Sequence, residues 1–187
     1  MIVTSFDCRR TISTIKVVVG TNRWGSTGVA VRIQRVVMHP DYSEGEIPNN
    51  LALIQLASAL TYSNTIAPVT IDMEDPGSTT DVTVFSWGWT RNNFTLVNRL
   101  LKLSLTTMTR VACRQYWGSI TANQICTKGG RRECIEQFYL GSPLIATSTK
   151  MLLGVESYIN VCSPLPSVYT RVSQYVLWIQ DTINPQN

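Results

Sequence analysis

The chain carries one histidine, His39, in the run Val36-Val37-Met38-His39-Pro40-Asp41-Tyr42. Imidazole is the side chain best suited to taking and returning a proton near neutral pH. A serine or cysteine nucleophile needs such a base within hydrogen-bond reach. No Cys/His spacing of the metal-ligand kind surrounds His39, so a surface or turn role is expected, with no metal and no cofactor. Cysteine is the second chemistry-bearing type. The count is five: Cys8, Cys113, Cys126, Cys134 and Cys162. The last four lie in the C-terminal half and admit three pairings, among which the residues alone do not choose. A disulfide framework fits their spacing better than a set of cytosolic thiols. Asn93-Phe94-Thr95 is an N-glycosylation sequon in a polar loop, usable at Asn93 if the chain is secreted.

The elements that must position these residues are mostly strands. Ile15-Lys16-Val17-Val18-Val19-Gly20 is β-branched and ends at a turn, and Val29 to Val37 alternates apolar and polar residues as a half-buried strand does. Further strands are expected at Ala52–Leu56, Val82–Phe85, Leu101–Leu105 and Leu152–Val155. The acidic Pro-Gly stretch from Asp72 to Asp81 is the clearest break. Two stretches have helical character. One follows Met108-Thr109-Arg110 to Tyr116, and the other is the C-terminus, where Val172, Tyr175, Val176, Ile179 and Ile183 recur at helical spacing. Trp87 and Trp178 are expected to pack core and helix–barrel contacts. Many short strands, Gly/Pro turns and one terminal amphipathic helix make an all-β architecture.

With 187 residues, 44% hydrophobic and 15% charged, the chain can bury a real core. The net charge of +4 comes from 16 basic and 12 acidic residues in short clusters. A solvated mixed surface explains it, and no stripe of basic and aromatic residues points to nucleic acid. No apolar run approaches the ~20 residues of a membrane span. No basic segment followed by an apolar core opens the chain, so no signal peptide is visible.

Several segments occur in a telling order: His39-Pro40-Asp41-Tyr42, Leu51-Ala52-Leu53-Ile54, Trp87-Gly88, Pro166-Ser167-Val168-Tyr169-Thr170-Arg171-Val172 and Trp178-Ile179. In that order and spacing the chain resembles the trypsin-like, chymotrypsin-fold serine proteases of peptidase family S1. The resemblance runs from Thr4 to Ile183. It implies two antiparallel β-barrels with the active site between them and a C-terminal α-helix. Residues 1–187 would form one such domain: an N-terminal barrel over 1–75, lacking the family's first two strands, and a C-terminal barrel plus helix over 76–187. An incomplete barrel exposes a strand edge, which is a pairing liability. The resemblance also implies the pairs Cys113–Cys126 and Cys134–Cys162. Cys8 matches the cysteine after the family's catalytic histidine and is left unpaired.

The resemblance places His39 in the family's His-Pro-x-Tyr surface segment, well past the catalytic histidine. That histidine precedes Cys8, where this chain has Thr4-Ser5-Phe6-Asp7, so Asp7 takes the general-base position. A carboxylate is a poor proton acceptor for a serine hydroxyl at neutral pH. The family's aspartate precedes Leu-Ala-Leu, and Asn50 stands there. Anchored on Pro143, the nucleophile position is Leu140, its preceding aspartate is Tyr139 and the oxyanion glycine is Phe138. Anchored instead on Cys134, Phe138 takes the serine position. Neither alignment supplies a hydroxyl, and Ser142 lies two places too far. The substrate pocket is altered too. Ser157-Tyr158-Ile159 replaces Ser-Trp-Gly, Val161 and Ser167 replace wall glycines, and Arg132 stands where trypsin-type enzymes carry the floor aspartate.

These departures lead to a catalytically inactive serine protease homologue, a pseudoprotease that binds a protein partner (a protease, an inhibitor or a cascade component) in an extracellular proteolytic setting. Family membership alone would suggest the alternative, a working serine endopeptidase. A second alternative is a truncated gene copy without function.

Overall fold

The computed structural model describes residues 2–4, 15–25, 28–77, 79–90, 95–128, 135–136, 140–158 and 165–184. The β-branched and alternating segments form short strands whose side chains fit a pleated, half-buried surface. In chain order they are β1 (Ile2–Thr4), β2 (Val17–Val19), β3 (Val29–Val31), β4 (Ile33–Met38), β5 (Ala52–Leu56), β6 (Asp81–Thr90), β7 (Thr95–Met108), β8 (Gln124–Thr127), β9 (Ile135–Glu136), β10 (Pro143–Ala146), β11 (Leu152–Tyr158) and β12 (Ser167–Arg171). The helices are α1 (Arg110–Arg114) and α2 (Val176–Ile183), the latter preceded by a 3₁₀ turn at Val172–Tyr175.

The second half closes on itself. Strands β10, β11, β12, β8, β7 and β6 pair in that order, and β6 pairs again with β10, giving a closed six-stranded antiparallel barrel. Strand β9 extends the outer end of β6. The barrel interior is filled by Val82, Val84, Ile125, Leu144, Ala146, Leu153 and Tyr169. Gly154 is required by a close approach, since a Cβ there would lie 3.0 Å from the Thr170 carbonyl and 3.1 Å from Tyr169 Cβ. Among the described residues, the strands of the first half form two separate sheets, β1-β5-β4 and β2-β3. Strands β1 and β4 lie at the two ends of the three-stranded sheet.

One apolar cluster joins the halves. Leu51 and Leu53 from the first pack with Leu152, Val155, Val172, Tyr175 and Ile179, and Trp178 lies against them. Leu51 and Leu53 are fully buried, each contributing about 1.5–3 kcal/mol of transfer free energy. The C-terminal helix therefore staples one sheet to the other, as its apolar periodicity leads one to expect.

Four sequence expectations shift. The single strand expected from Val29 to Val37 breaks at Arg32 into β3, which pairs with β2, and β4, which pairs with β5 in a different sheet. The first helical stretch, expected after Arg110 through Tyr116, starts at Arg110 and ends at Arg114, with Thr109 Oγ1 capping the Ala112 amide at 3.1 Å. The hairpin β6–β7 continues beyond Phe85 and Leu101, past a register shift between Ser86 and Gly88. Trp87 sits at that shift and is not a core residue. Its ring meets the exposed Trp24 at 6.3 Å, and its Nε1 donates to the Asn22 carbonyl at 3.2 Å. It links the hairpin to the loop after β2.

Candidate functional site

Asn50, Leu140–Ser142 and Ser157–Tyr158, separated by up to 108 positions in the chain, converge where the two halves meet. Asn50 precedes β5 and is 4% exposed. Its Nδ2 donates to the Ser157 carbonyl at 3.4 Å, and its own carbonyl accepts from Thr170 Oγ1 at 2.8 Å. The preceding residue, Asn49, has a left-handed backbone (φ 58°) and accepts from the Tyr175 hydroxyl at 2.9 Å. Burial raises that hydroxyl's pKa, which keeps it a donor. Residues 49–50 are thus held from β11, from β12 and from the 3₁₀ turn.

Leu140 is exposed at a turn whose next residue, Gly141, has φ 87°, a left-handed conformation suited to glycine. The Gly141 amide donates to the Glu156 carbonyl and the Glu156 amide to the Ser142 carbonyl, both at 2.9 Å. Ser142 is buried, and its hydroxyl donates to Ser86 Oγ at 3.1 Å, inside the barrel wall. Ser157 is buried, with its Oγ 3.4 Å from the Ile47 carbonyl. Tyr158 is exposed and meets Trp117 edge-on at 4.8 Å, and Trp117 Nε1 donates to the Pro166 carbonyl at 2.9 Å. Ser167 opens β12 opposite Thr127.

The described contacts of His39 are with the C-terminal segment and with its own turn. Its ring packs edge-on against Tyr175 at 5.2 Å and lies 4.9 Å from Trp178. Its Nδ1 accepts from the Asp41 amide at 3.3 Å. Burial lowers its pKa, with Asp41 opposing, so at neutral pH the ring is a neutral packing element between the Pro40 turn and the C-terminal helix.

Cys113 and Cys126 form a disulfide, tying α1 to β8. Asp7, Cys8, Asn93, Arg132, Cys134, Phe138, Ile159, Val161 and Cys162 lie outside the described residues. Among the described residues no cluster of His, Cys, Asp or Glu could hold a metal ion, and no helix is long and apolar enough to cross a membrane.

Sequence reasoning missed Glu156. It is 4% exposed and faces Tyr169 of β12 directly across the ladder. Burial pushes its carboxyl up to about 8, against the hydrogen bond from Tyr169. The same burial, with the neighbouring carboxyl, raises Tyr169 well above its ordinary value. The signal was present: a charged residue continues the apolar run Leu152-Leu153-Gly154-Val155.

The trypsin family's sequence model matches residues 1–179. Trypsin II-P29 of Gallus gallus is 34% identical over 155 residues, covering 79% of this chain and 61% of that protein. Venom serine protease 34 of Apis mellifera is 30% identical over 88% of this chain and 44% of its own. The chain therefore spans less than two thirds of the length of either relative. Among solved structures, the scabies mite inactivated protease paralogue S-D1 superposes with a TM-score of 0.86 at 26% identity, covering 97% of this chain and 82% of that one. Mouse neuropsin, a serine protease, gives the same TM-score at 22% identity, covering 97% of this chain and 84% of its own, which speaks to the fold. With a closed antiparallel barrel, a second strand layer stapled to it by a C-terminal helix, and a family match over nearly all of its length, the chain belongs to the trypsin family and has the chymotrypsin-like fold.

Proposed function

We propose that this chain is a non-catalytic member of the trypsin family, which uses the junction between its two halves to bind a protein partner in an extracellular proteolytic setting. The observation that carries the reading is Asn50. It stands where the family places the aspartate before Leu-Ala-Leu, it is buried, and its side chain donates to the Ser157 carbonyl. The family's aspartate works by accepting a hydrogen bond from the imidazole and stabilising the imidazolium. Replacing that charge by an amide costs ~10⁴ in kcat in the serine-protease triad.

The remaining support is chemical. Leu140 brings no hydroxyl, and Ser142 is engaged by Ser86. Asp7 offers a carboxylate in place of a base. By their residue types, Arg132, Ile159, Val161 and Ser167 would make a substrate pocket at the family's position basic and crowded. The likeness in shape to a scabies mite protein described as an inactivated protease paralogue is in keeping with this. The partner would be a protease, an inhibitor or another component of a proteolytic cascade, and no catalytic turnover accompanies its binding.

The test is incubation of the purified chain with broad peptide libraries, read by mass spectrometry. No cleavage above buffer is expected. Cleavage that a single substitution at Asp7, Asn50 or Ser142 abolishes would overturn the reading.

A further inference from the structure

The basic residues of this chain are not spread evenly. Residues 8–40 and 82–132 contain no aspartate or glutamate, and together they hold fourteen of the sixteen lysines and arginines, eleven of these being arginine. The fold stitches the two acid-free segments together at one point. Arg23, in the loop after β2, pairs across an isolated antiparallel bridge with Arg99 of β7, 76 positions away. The Trp24 amide donates to the Asn98 carbonyl and the Leu100 amide to the Asn22 carbonyl, both at 2.6 Å. Those bonds flank the two arginines instead of joining them, which makes Arg23 and Arg99 a close pair with side chains directly opposite. Both are exposed.

Like charges opposite each other destabilise a strand pair, and an anion shared between them offsets that cost. An aromatic face adjoins the pair. Trp24 follows Arg23, is 63% exposed and meets the ring of Trp87 at 6.3 Å. Trp87 Nε1 holds the Asn22 carbonyl at 3.2 Å and so fixes this loop. A second cationic pair lies along the same hairpin. Lys16 and Arg32, both exposed, stand immediately outside the Val17–Val31 pair at the end of the β2–β3 ladder. The three-residue ladder between the two pairs is about 10 Å long. That span is too great for one small anion and suits a linear polyanion.

We propose that this face is a docking site for a sulfated glycosaminoglycan chain, with a sulfate ester between Arg23 and Arg99, a sugar ring on Trp24 and the polymer continuing toward Lys16 and Arg32. Guanidinium forks grip tetrahedral oxyanions in bidentate fashion, and a sulfate ester keeps its full charge at every physiological pH. The C–H face of a pyranose ring suits the negative face of an indole. A sulfated glycan supplies both chemistries at a short repeat, whereas a run of glutamates supplies only the charge. The site uses none of the triad positions and no residue of the junction, so it stands or falls independently of the proposed function.

Binding of a heparin octasaccharide to the full chain, measured by calorimetry over a series of salt concentrations, tests this. Replacing both arginines, Arg23→Gln with Arg99→Gln, should weaken binding about tenfold at ~0.15 M salt. It should also lower the slope of log K against log salt by about two, one per lost cation. Each single variant should lower the slope by about one, which keeps the test open if the double variant folds poorly. Lys128→Gln with Lys150→Gln removes the same net charge elsewhere and should leave affinity and slope near the parent's. Trp24→Ala should weaken binding severalfold at unchanged slope. Fully desulfated heparin, and polyglutamate of the octasaccharide's charge, should bind about tenfold more weakly than the octasaccharide. Five results would overturn the proposal: no binding by the parent, an unchanged slope in the arginine variants, an equal loss in the lysine control, no effect of Trp24→Ala, or either comparison polymer binding as tightly as heparin. Tight binding of polyglutamate would point instead to an acidic protein segment.

Discussion

Replacing Glu156 by glutamine should make the protein more stable, and by an amount that grows with pH. The carboxyl is raised from 4.5 to about 8 in the folded chain. Between those values the folded state holds a proton that the unfolded state has released, so stability is fully present below pH 4.5 and declines as pH rises to 8. At pH 7 the loss spans about 2.5 pH units, or about 3 kcal/mol at 1.36 kcal/mol per unit. Glutamine matches the shape of the protonated acid, keeps an oxygen to accept from Tyr169 and never ionises. The difference between variant and parent should therefore be near zero at pH 4.5 and about 3 kcal/mol in the variant's favour at pH 7. Carboxylates elsewhere cancel in that difference. Urea unfolding of both proteins at pH 4.5, 6 and 7 measures it. Parallel stability curves, or a variant less stable at pH 7, would refute the claim that Glu156 is buried and neutral.

Three further outcomes follow from the cysteines and from the junction. Removing the Cys113–Cys126 bond by a double alanine substitution opens a crosslink of sequence separation 13 and should cost about 3 kcal/mol, read by urea unfolding. Non-reducing peptide mapping should also join Cys134 to Cys162 and leave Cys8 free, and any link to Cys8 would contradict that pairing. The combined change Asp7→His, Asn50→Asp and Leu140→Ser should not restore peptide hydrolysis. An aspartate at 50 would turn a lone pair toward the Ser157 carbonyl that Asn50 now satisfies, and the Phe138 position lacks the oxyanion glycine, a loss of ~10²–10³ where one donor is removed. Amide turnover well above the parent would show that the scaffold is still competent.

The fold was legible because its signals are local. β-Branched alternation marked β2, β5 and the stretch Val29–Val37, which was read as one strand and is divided at Arg32 between β3 and β4 of different sheets. The acidic Pro-Gly stretch marked the boundary before β6, and the terminal periodicity found α2. The hairpin β6–β7 was underestimated because a register shift at Ser86–Gly88 breaks the alternation while the ladder continues. The site was legible only in part. Asn50 and Leu140 could be placed by neighbouring motifs, since Leu51-Ala52-Leu53 and Pro143 anchor them. His39 could be removed from the chemistry, although its packing on Tyr175 and Trp178 depends on a helix 136 or more positions away. Glu156 was passed over because a single charge after an apolar run reads as a strand end. Only the barrel's closure, which sets Tyr169 opposite, shows that the carboxyl points inward.

On the proposed reading, this trypsin-family chain has no activated nucleophile. The most direct test of that reading is labelling with a serine-reactive fluorophosphonate, followed by intact mass spectrometry of the full chain beside an active trypsin. The trypsin should gain the mass of one probe, while this chain keeps its mass through prolonged incubation at pH 7 to 8. Stoichiometric addition, mapped to any single serine and lost when that serine becomes alanine, would contradict the account.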